Sequence, residues 1–328
     1  MRKVIYSILF ILGALLAILS LLSIFRNAEI RYLKMLDFPR IQFFIAAIIC
    51  FLLLAVIIKK WKWQDYLLSL ALFIGIGVQV FFLINYTVLV PVEVPTVKQI
   101  AENEEKLSIL LTNVKMKNRT SQALLDLVAH KNPDIILAME VDTWWKEQLK
   151  VLQNEYPYTQ ESINEVTYGL ILYSKFPLEV KEIDYLTHDQ VPSFESLITL
   201  PNAKKISFHS IHPVPPTHFE DLPDNAGEQE NALLKLGNRI EDNKFPAIVA
   251  GDLNDVVWSY LDDLTGTKDL LYDLRVGRGF YNSYNAQNLW MRWPLDHIFV
   301  SEEFKLKTLQ RQSSIGSDHF PIYAELVL

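Results

Sequence analysis

The sequence predicts an α/β sandwich with a single core, preceded by three membrane-spanning helices. Three long apolar runs without a charge lie in the first part of the chain, and each can cross a hydrocarbon core of about 30 Å as a helix. From about Thr96 onward, short apolar runs are each followed by a helical pattern or a turn signal. We therefore divide the chain into a membrane anchor, residues 1–95, and a large globular domain, residues 96–328.

The predicted membrane spans are residues 4–25, 41–58 and 66–90. A cleaved signal peptide is the alternative for the first span, but that run has no clear small-x-small cleavage site and two further spans follow it. Five basic residues precede the first span or separate the second from the third, against four between the first two. This balance favours a cytoplasmic N-terminus and therefore a large domain outside the cytoplasm.

Charge and cysteine content narrow the function of the large domain. It carries 22 basic and 34 acidic residues, a net charge of −12. Such a domain is a poor general binder of duplex nucleic acid, whose affinity comes largely from Lys and Arg contacts to phosphates. The only cysteine of the chain is Cys50 in the second span. The domain therefore has no disulfide, no thiol nucleophile and no cysteine metal ligand.

Strands and helices alternate along the domain, which is typical of an α/β sandwich. The predicted strands are residues 106–112, 135–139, 168–173, 178–185, 196–200, 206–212, 245–250, 298–300 and 322–327, and the predicted helices are residues 120–130, 144–152 and 225–241.

Polar side chains end or flank many of the predicted strands. Because a sheet fixes the backbone while the side chain reaches into open space, we expect these residues to converge in one site. Carboxylate and carboxamide oxygens with two imidazoles and no sulfur suit Mg²⁺ or Mn²⁺, which serve phosphoryl transfer. The candidate residues are Asn113, Glu140, His212, Asp252, Asn254, Asp296, Asp318 and His319.

Several of these residues also have a purely structural interpretation. Asn113 could form a turn after its strand, and Glu140 could cap the helix that follows. His212, which precedes a proline, could be a hydrogen-bonded loop histidine. His209 has the opposite strand parity and does not end the strand, so we interpret it as structural.

Two motifs are more specific than the single residues. In Gly251-Asp-Leu-Asn, the spacing of two residues places Asp252 and Asn254 on the same side of an extended segment. The second motif is Gly316-Ser-Asp-His, a loop before the final strand with an oxygen ligand beside a titratable imidazole.

The order of these pieces resembles the endonuclease/exonuclease/phosphatase family. Asn113 and Glu140 after strands, GDLN at 251–254, LDHIFVS at 295–301 and GSDHFPI at 316–322 carry the resemblance, which covers residues 105–328. It implies a four-layer α/β sandwich with two mostly antiparallel central sheets flanked by helices. The N-terminal part is similar to that of bacterial membrane-attached members, which implies an integral protein of a bacterial plasma membrane.

The resemblance also implies a role for each candidate residue. Glu140 resembles the principal metal carboxylate of the family, assisted by Asn113 and Asp318. Asp252 resembles the group that aligns or deprotonates the attacking water. Asn254 resembles the residue that contacts the phosphoryl oxygens.

The histidines have counterparts in the family as well. His319 resembles the histidine that contacts the scissile phosphate or acts as a base, with Asp296 as its orienting carboxylate. His212 matches the other catalytic histidine, a candidate for protonating the leaving oxygen. His297 stands where some relatives have an aromatic residue, which leaves its role open.

These expectations define a membrane-anchored phosphoesterase that uses Mg²⁺ or Mn²⁺ to hydrolyse a phosphodiester or phosphomonoester. A nuclease of the same fold and a non-catalytic membrane scaffold are the alternatives. GDLND also fits the GDxxD motif of dimetal phosphoesterases of another fold, but the chain lacks their Asp-x-His and Gly-Asn-His motifs.

Membrane attachment and the acidic domain favour a lipid headgroup or a small phosphoester over duplex DNA as the substrate. Four large side chains near the site form an apolar rim or pack in the core: Tyr281, Trp290, Met291 and Trp293.

Overall fold

The protein consists of two compact units, Met1–Val90 and Pro91–Leu328. The computed structural model describes residues 1–26, 30–102, 104–186, 188–216, 223, 229–259 and 269–328. Residues 91–95, which the sequence analysis assigned to the anchor, belong to the second unit. There Leu306 N donates to Pro95 O at 2.8 Å, and Val97 N donates to Leu306 O at 2.9 Å.

The first unit is helical. Its helices are α1 (Arg2–Leu22), α2 (Arg31–Lys34), α3 (Arg40–Ile57) and α4 (Trp63–Leu83). The three long ones are apolar enough to cross a membrane, by length and composition. They pack through small and apolar side chains such as Ala17, Ala47 and Leu72. The third predicted span reaches Val90, but α4 ends at Leu83 and a 3₁₀ turn ends at Tyr86.

The second unit contains two six-stranded sheets. The strands are β1 (Lys106–Asn113), β2 (Ile135–Met139), β3 (Tyr158–Ser162), β4 (Leu170–Ser174), β5 (Leu178–Asp184), β6 (Ser193–Thr199), β7 (Lys205–Ser210), β8 (Ala247–Asp252), β9 (Tyr272–Asp273), β10 (Asp296–Val300), β11 (Lys305–Arg311) and β12 (Ile322–Val327). The first sheet has the order β11-β12-β1-β2-β4-β3, and the second sheet has the order β5-β6-β7-β8-β10-β9.

Both sheets are mostly antiparallel, as the resemblance predicted. The parallel neighbours are β1 with β2 in the first sheet and β7 with β8 in the second. In each pair a helix connects the strands: α5 (Ser121–Lys131) after β1 and α7 (Gln229–Glu241) after β7. A parallel pair needs such a crossover connection, whereas antiparallel strands need only a turn.

Alternating side chains on the strands produce four layers. Ile109 and Leu111 of β1 enter the core between the sheets, whereas Leu110 packs on the outer side with α5 and α6 (Thr143–Leu149). In the second sheet, Val249 of β8 faces outward and packs with Leu236 of α7. The predicted four-layer α/β sandwich flanked by helices is confirmed.

Some predicted elements differ from the observed ones. Strands β3, β9 and β11 were not predicted, and β7 ends at Ser210, so that His212 lies beyond the strand. Of the helix predicted for residues 225–241, Gln229–Glu241 is helical, and residues 225–228 lie outside the described residues.

Candidate active site

The first sheet brings Asn113 and Glu140 together. Asn113 is paired with Met139 in the parallel register of β1 and β2, so Glu140 follows directly beside it. Asn113 Nδ2 donates to Glu140 Oε1 at 2.9 Å. Glu140 has a φ of 59°. The next residue, Val141, lies so close to Gly169 that a Cβ at position 169 would be 1.9 Å from Val141 O. Gly169 therefore permits the backbone path that presents Glu140.

The second sheet brings Asp252 and Asp296 together as cross-strand partners of β8 and β10. Directly opposed residues in an antiparallel pair lie on the same face of the sheet. Beside them, a Cβ at Gly251 would lie 1.7 Å from Ile211 O. Only glycine therefore lets the segment with His212 approach the end of β8 so closely.

The two halves of the site meet at Asp252. Asn113 Nδ2, which already binds Glu140, also donates to Asp252 Oδ2 at 3.0 Å. In addition, Asp252 N donates to Met139 Sδ at 3.1 Å. The carboxamide of Asn113 and the thioether of Met139 thus connect the ends of two central strands of the first sheet, β1 and β2, to the end of β8 in the second.

His319 lies between two buried carboxylates. Its Nδ1 is 2.7 Å from Asp296 Oδ2, and its Nε2 is 3.4 Å from Asp252 Oδ2. Burial alone would lower the pKa of His319, but the charges of Asp296 and Asp252 outweigh burial and raise it to about 10. His319 is therefore a cation in this arrangement. We call Asp296, His319 and Asp252 the carboxylate–imidazole chain.

His212 lies on the other side of Asp252 and has the opposite proton state. Its Nε2 is 3.8 Å from Asp252 Oδ2, too long for a hydrogen bond, and its Nδ1 has no hydrogen-bond partner among the described residues. Burial lowers the pKa of His212 to about 4, so the ring is neutral near pH 7. Asp252 thus has a charged imidazole on one side and a neutral one on the other.

Asp318 is paired with Lys115, a residue that the sequence analysis did not select. Lys115 Nζ lies 2.8 Å from Asp318 Oδ2, and this hydrogen bond raises the pKa of the lysine, to which the charge of Glu140 also contributes. Lys115 therefore lies close to two of the predicted metal ligands. Lys115 lies beyond the end of β1 and has a φ of 58°, so a strand pattern offered no signal for it.

The donor atoms around Glu140 fit a hard divalent ion. Burial raises the pKa of Glu140 to about 7, a shift that a bound cation would oppose. Asn113 Oδ1 accepts from Lys115 N at 2.9 Å and keeps a second lone pair, and Asp318 offers further carboxylate oxygen. These donors are all oxygen, as Mg²⁺ and Mn²⁺ prefer.

A different group of potential ligands is formed by the carboxylate–imidazole chain. Its ligand atoms lie within 4.8 Å of one another. The imidazolium of His319 already supplies the positive charge between the two carboxylates, and its Nδ1 is engaged by Asp296. The surroundings of Glu140 are therefore the better place for a metal ion.

The local geometry corrects one expectation from the sequence and decides between the alternatives for two other residues. Asn254 is not in an extended segment: it has a φ of 51°, its N donates to Asp252 Oδ1 at 2.9 Å, and its Nδ2 donates to Pro213 O at 2.9 Å. Glu140 is not the cap of the following helix, because Asp142 accepts from Trp145 N at 2.8 Å. The turn expected at Asn113 is present, since Asn113 Oδ1 binds Lys115 N.

His297 and His209 have structural contacts. His297 is buried, with Nδ1 2.7 Å from Arg275 Nη2 and Nε2 2.9 Å from Asp255 O. His209 is buried on β7, with Nε2 2.8 Å from Ser207 Oγ.

The four residues of the expected apolar rim divide into two groups. Trp293 is buried and stacks on Tyr284, whose ring centroid lies 5.0 Å from that of His319. Tyr281 packs against the core between the sheets. Trp290 is 82% exposed and Met291 is also exposed, so these two present the most apolar surface to solvent.

A carboxylate–imidazole chain where two packed sheets meet, on a four-layer α/β sandwich, defines a protein with a phosphoesterase or nuclease fold. The model of the Endonuclease/Exonuclease/phosphatase family matches residues 110–319, which is more than half of the chain. The chain belongs to the endonuclease/exonuclease/phosphatase family, whose members are hydrolases that act on phosphoesters. The family predicted from the sequence is confirmed.

Solved structures share this fold at low sequence identity. D. rerio TDP2 complexed with single strand DNA product has a TM-score of 0.55 and 18% identity, and the match covers 68% of this chain and 99% of that one. An endonuclease/exonuclease/phosphatase from Beutenbergia cavernae DSM 12333 has a TM-score of 0.53, 14% identity and coverages of 68% and 72%. At these identities the likeness shows the fold alone. No curated protein matches the chain.

Proposed function

We propose that the protein is a membrane-anchored, divalent-metal-dependent phosphoesterase that hydrolyses a phosphodiester or phosphomonoester by in-line attack of an activated water. The supporting observation is the position of Asp252. It is 3.4 Å from the charged His319, and it shares the amide of Asn113 with Glu140. A group that can align water thus adjoins both a cation and a set of hard oxygen donors.

The proposed metal ligands are Glu140, Asn113 and Asp318. Mg²⁺ or Mn²⁺ held there supplies positive charge that offsets the charge on the phosphoryl oxygens. Lys115 forms a 2.8 Å ion pair with Asp318 and therefore competes with a metal ion for that carboxylate. The all-oxygen donors and the raised pKa of Glu140 support this proposal.

The remaining residues position water and transfer protons. Asp252 orients or deprotonates the attacking water, and Asn254 stabilises its carboxylate through the bond from Asn254 N to Oδ1. His319, kept protonated by Asp296, donates a hydrogen bond to the phosphoryl group. His212 is the candidate donor to the leaving oxygen. Because its ring is neutral in the free protein, this role requires the negative charge of a bound phosphate to raise its pKa.

The three long helices of the first unit are the proposed membrane anchor. Residues 1–95 then attach the catalytic domain, residues 96–328, to a bacterial plasma membrane on the extracytoplasmic side. The net charge of −12 for that domain favours a lipid headgroup or small phosphoester over duplex DNA. A C-terminal reporter that is active only in the cytoplasm should be inactive, and its activity would overturn this orientation.

The experiment for catalysis uses the full chain purified in a neutral detergent. Bis-p-nitrophenyl phosphate, p-nitrophenyl phosphate, plasmid DNA and phospholipid vesicles are assayed with Mg²⁺, with Mn²⁺ and after chelation. We expect metal-dependent turnover that falls about 10²–10⁴-fold in Asp252→Asn. The matched control is Asp126→Asn, an exposed carboxylate of α5.

The results of this assay distinguish the proposed mechanism from the nuclease and scaffold alternatives. Preference for plasmid DNA would favour the nuclease alternative within the same family. Turnover that survives chelation, or an Asp252→Asn variant as active as the control, would overturn the proposed mechanism. A folded protein without turnover on any of these substrates would favour the scaffold alternative.

A further inference from the structure

A cavity remote in sequence from the candidate active site lies at one end of the three long helices. Its volume is about 570 Å³. The start of α1, the end of α3, the α3–α4 connection and the first turns of α4 form its walls. Five of its lining residues are cations: Arg2, Lys3, Lys59, Lys60 and Lys62.

The lysines of this cavity have no opposing charge bound to them. All four are exposed, and among the described residues none forms an ion pair. Arg2 is used differently: its Nε donates to Ile57 O at 3.0 Å, which fixes the start of α1 against the end of α3. The lysine ammonium groups are therefore available to an anion, while Arg2 maintains the shape of the wall.

The carboxylate at the base of the cavity is already engaged. Asp65 is buried, accepts from Tyr6 Oη at 2.6 Å and accepts from Lys62 N at 2.8 Å. The bond from Lys62 N satisfies a backbone donor at the start of α4 and engages the Asp65 carboxylate. With five cations and one carboxylate, the lining carries a net charge of +4.

We propose that this cavity binds the phosphate headgroup of an anionic phospholipid. The inference rests on the proposed membrane insertion of the helices and is independent of the catalytic step. Basic residues grouped at the ends of membrane helices attract anionic lipids through their headgroups. The positive lining and the size of the cavity fit such a group, and exposed apolar Val4 and Val56 nearby offer a surface for its acyl chains.

Aromatic residues beside the cavity favour a lipid over free phosphate. Trp63 is 75% exposed and Tyr66 is also exposed, while Trp61 and Tyr66 have ring centroids 5.1 Å apart. Tryptophan and tyrosine collect at the level of the headgroups because one part of each ring system is apolar and the other is polar. Such residues place the opening of the cavity at headgroup depth.

The test compares lipid binding by full-length variants in neutral detergent micelles. Native mass spectrometry measures retention of phosphatidylglycerol and phosphatidylcholine with matched acyl chains. The test variant is Lys59→Gln/Lys60→Gln/Lys62→Gln, and the conservative variant replaces the same lysines by arginine. The matched control is Lys98→Gln/Lys205→Gln/Lys244→Gln, which removes equal charge from exposed positions of the second unit.

We expect the wild type to prefer phosphatidylglycerol. The glutamine variant should lose about tenfold or more in that binding, while the arginine variant and the control retain it. Far-ultraviolet circular dichroism and resistance to carbonate extraction establish that the glutamine variant is folded and inserted. Failure of carbonate resistance in the wild type would instead contradict the proposed anchor itself.

Two results would overturn the inference. One is a glutamine variant that is inserted and still selects phosphatidylglycerol as the wild type does. The other is saturable binding of inorganic phosphate in the absence of lipid, with displacement of phosphatidylglycerol at millimolar phosphate. That second result would assign the cavity to a free anion.

Discussion

His319 Nδ1 lies 2.7 Å from Asp296 Oδ2, although His319 precedes the last strand of the first sheet and Asp296 begins β10 in the second. The bond crosses from one sheet to the other. It fixes the imidazole so that Nε2 faces Asp252, and it sustains the positive charge of the ring. The orientation and the proton state of His319 therefore depend on the same carboxylate.

Asp296→Asn should lower kcat about 10²–10⁴-fold and change KM little. The amide keeps the size of the carboxylate but removes the charge that stabilises the imidazolium. Steady-state kinetics on bis-p-nitrophenyl phosphate provide the measurement. The control is Asp184→Asn, which removes a β5 carboxylate that is paired with Arg239, and this variant should remain active. Equal activity of the two variants would contradict the role of Asp296.

Glu140→Gln should weaken Mn²⁺ binding by at least about tenfold, because a neutral amide replaces the proposed principal carboxylate donor. Electron paramagnetic resonance of free Mn²⁺ measures this affinity without any turnover. Glu161→Gln, on the surface and paired with Lys146, provides the comparison. If both variants bind Mn²⁺ as the wild type does, the ion is held elsewhere.

Lys115→Met should strengthen Mn²⁺ binding about fivefold, since it removes a positive charge beside the proposed ligands and releases Asp318. The same resonance titration measures the change. Lys117→Met is the control, because Lys117 is exposed and lies only two residues further along the chain. Weaker binding in Lys115→Met would instead assign the lysine to the support of a ligand.

His209 should make the protein less stable in mild acid. Burial, followed by the charge of Arg239, lowers its folded pKa to about 4, whereas an unfolded histidine titrates near 6.5. The unfolded state therefore binds more protons between these values. The stability present above pH 6.5 falls as the pH decreases towards 4. Arg239 itself is paired with Glu182, Asp184 and Glu195.

His209→Gln should remove about 2 kcal/mol of the stability difference between pH 7 and pH 5. Chemical unfolding of the full chain in detergent at both pH values, followed by tryptophan fluorescence, measures it. The control is His188→Gln, which changes a partly exposed histidine. An unchanged pH dependence in His209→Gln would show that the folded protein accommodates the charge.

The strands missed in the sequence share one property: β3, β9 and β11 are all at the edge of a sheet. An edge strand has one neighbour and is partly solvated, so it need not carry a continuous apolar run. In β11, Lys305–Arg311, only two of seven residues are apolar. Central strands such as β2 are buried on both faces, which is why their apolar runs were recognisable.

The candidate site was predictable where a polar residue directly follows a buried strand, as Glu140 follows β2. The contacts between residues distant in sequence were not predictable. The ion pair of Lys115 with Asp318 spans 203 positions. Likewise, Asn254 has a left-handed backbone, and its side-chain amide donates to Pro213 O. The two-residue periodicity used to place Asn254 beside Asp252 holds only for extended chain and not for a turn.

The arrangement of the site across both sheets has a consequence for biosynthesis. Asn113 enters the nascent chain early, whereas His319 enters it after every other candidate residue. The carboxylate–imidazole chain cannot exist until β12 has paired with β1 and the two sheets have docked. Under the proposed function, the chain can therefore act on phosphoesters only after both sheets have formed and packed together.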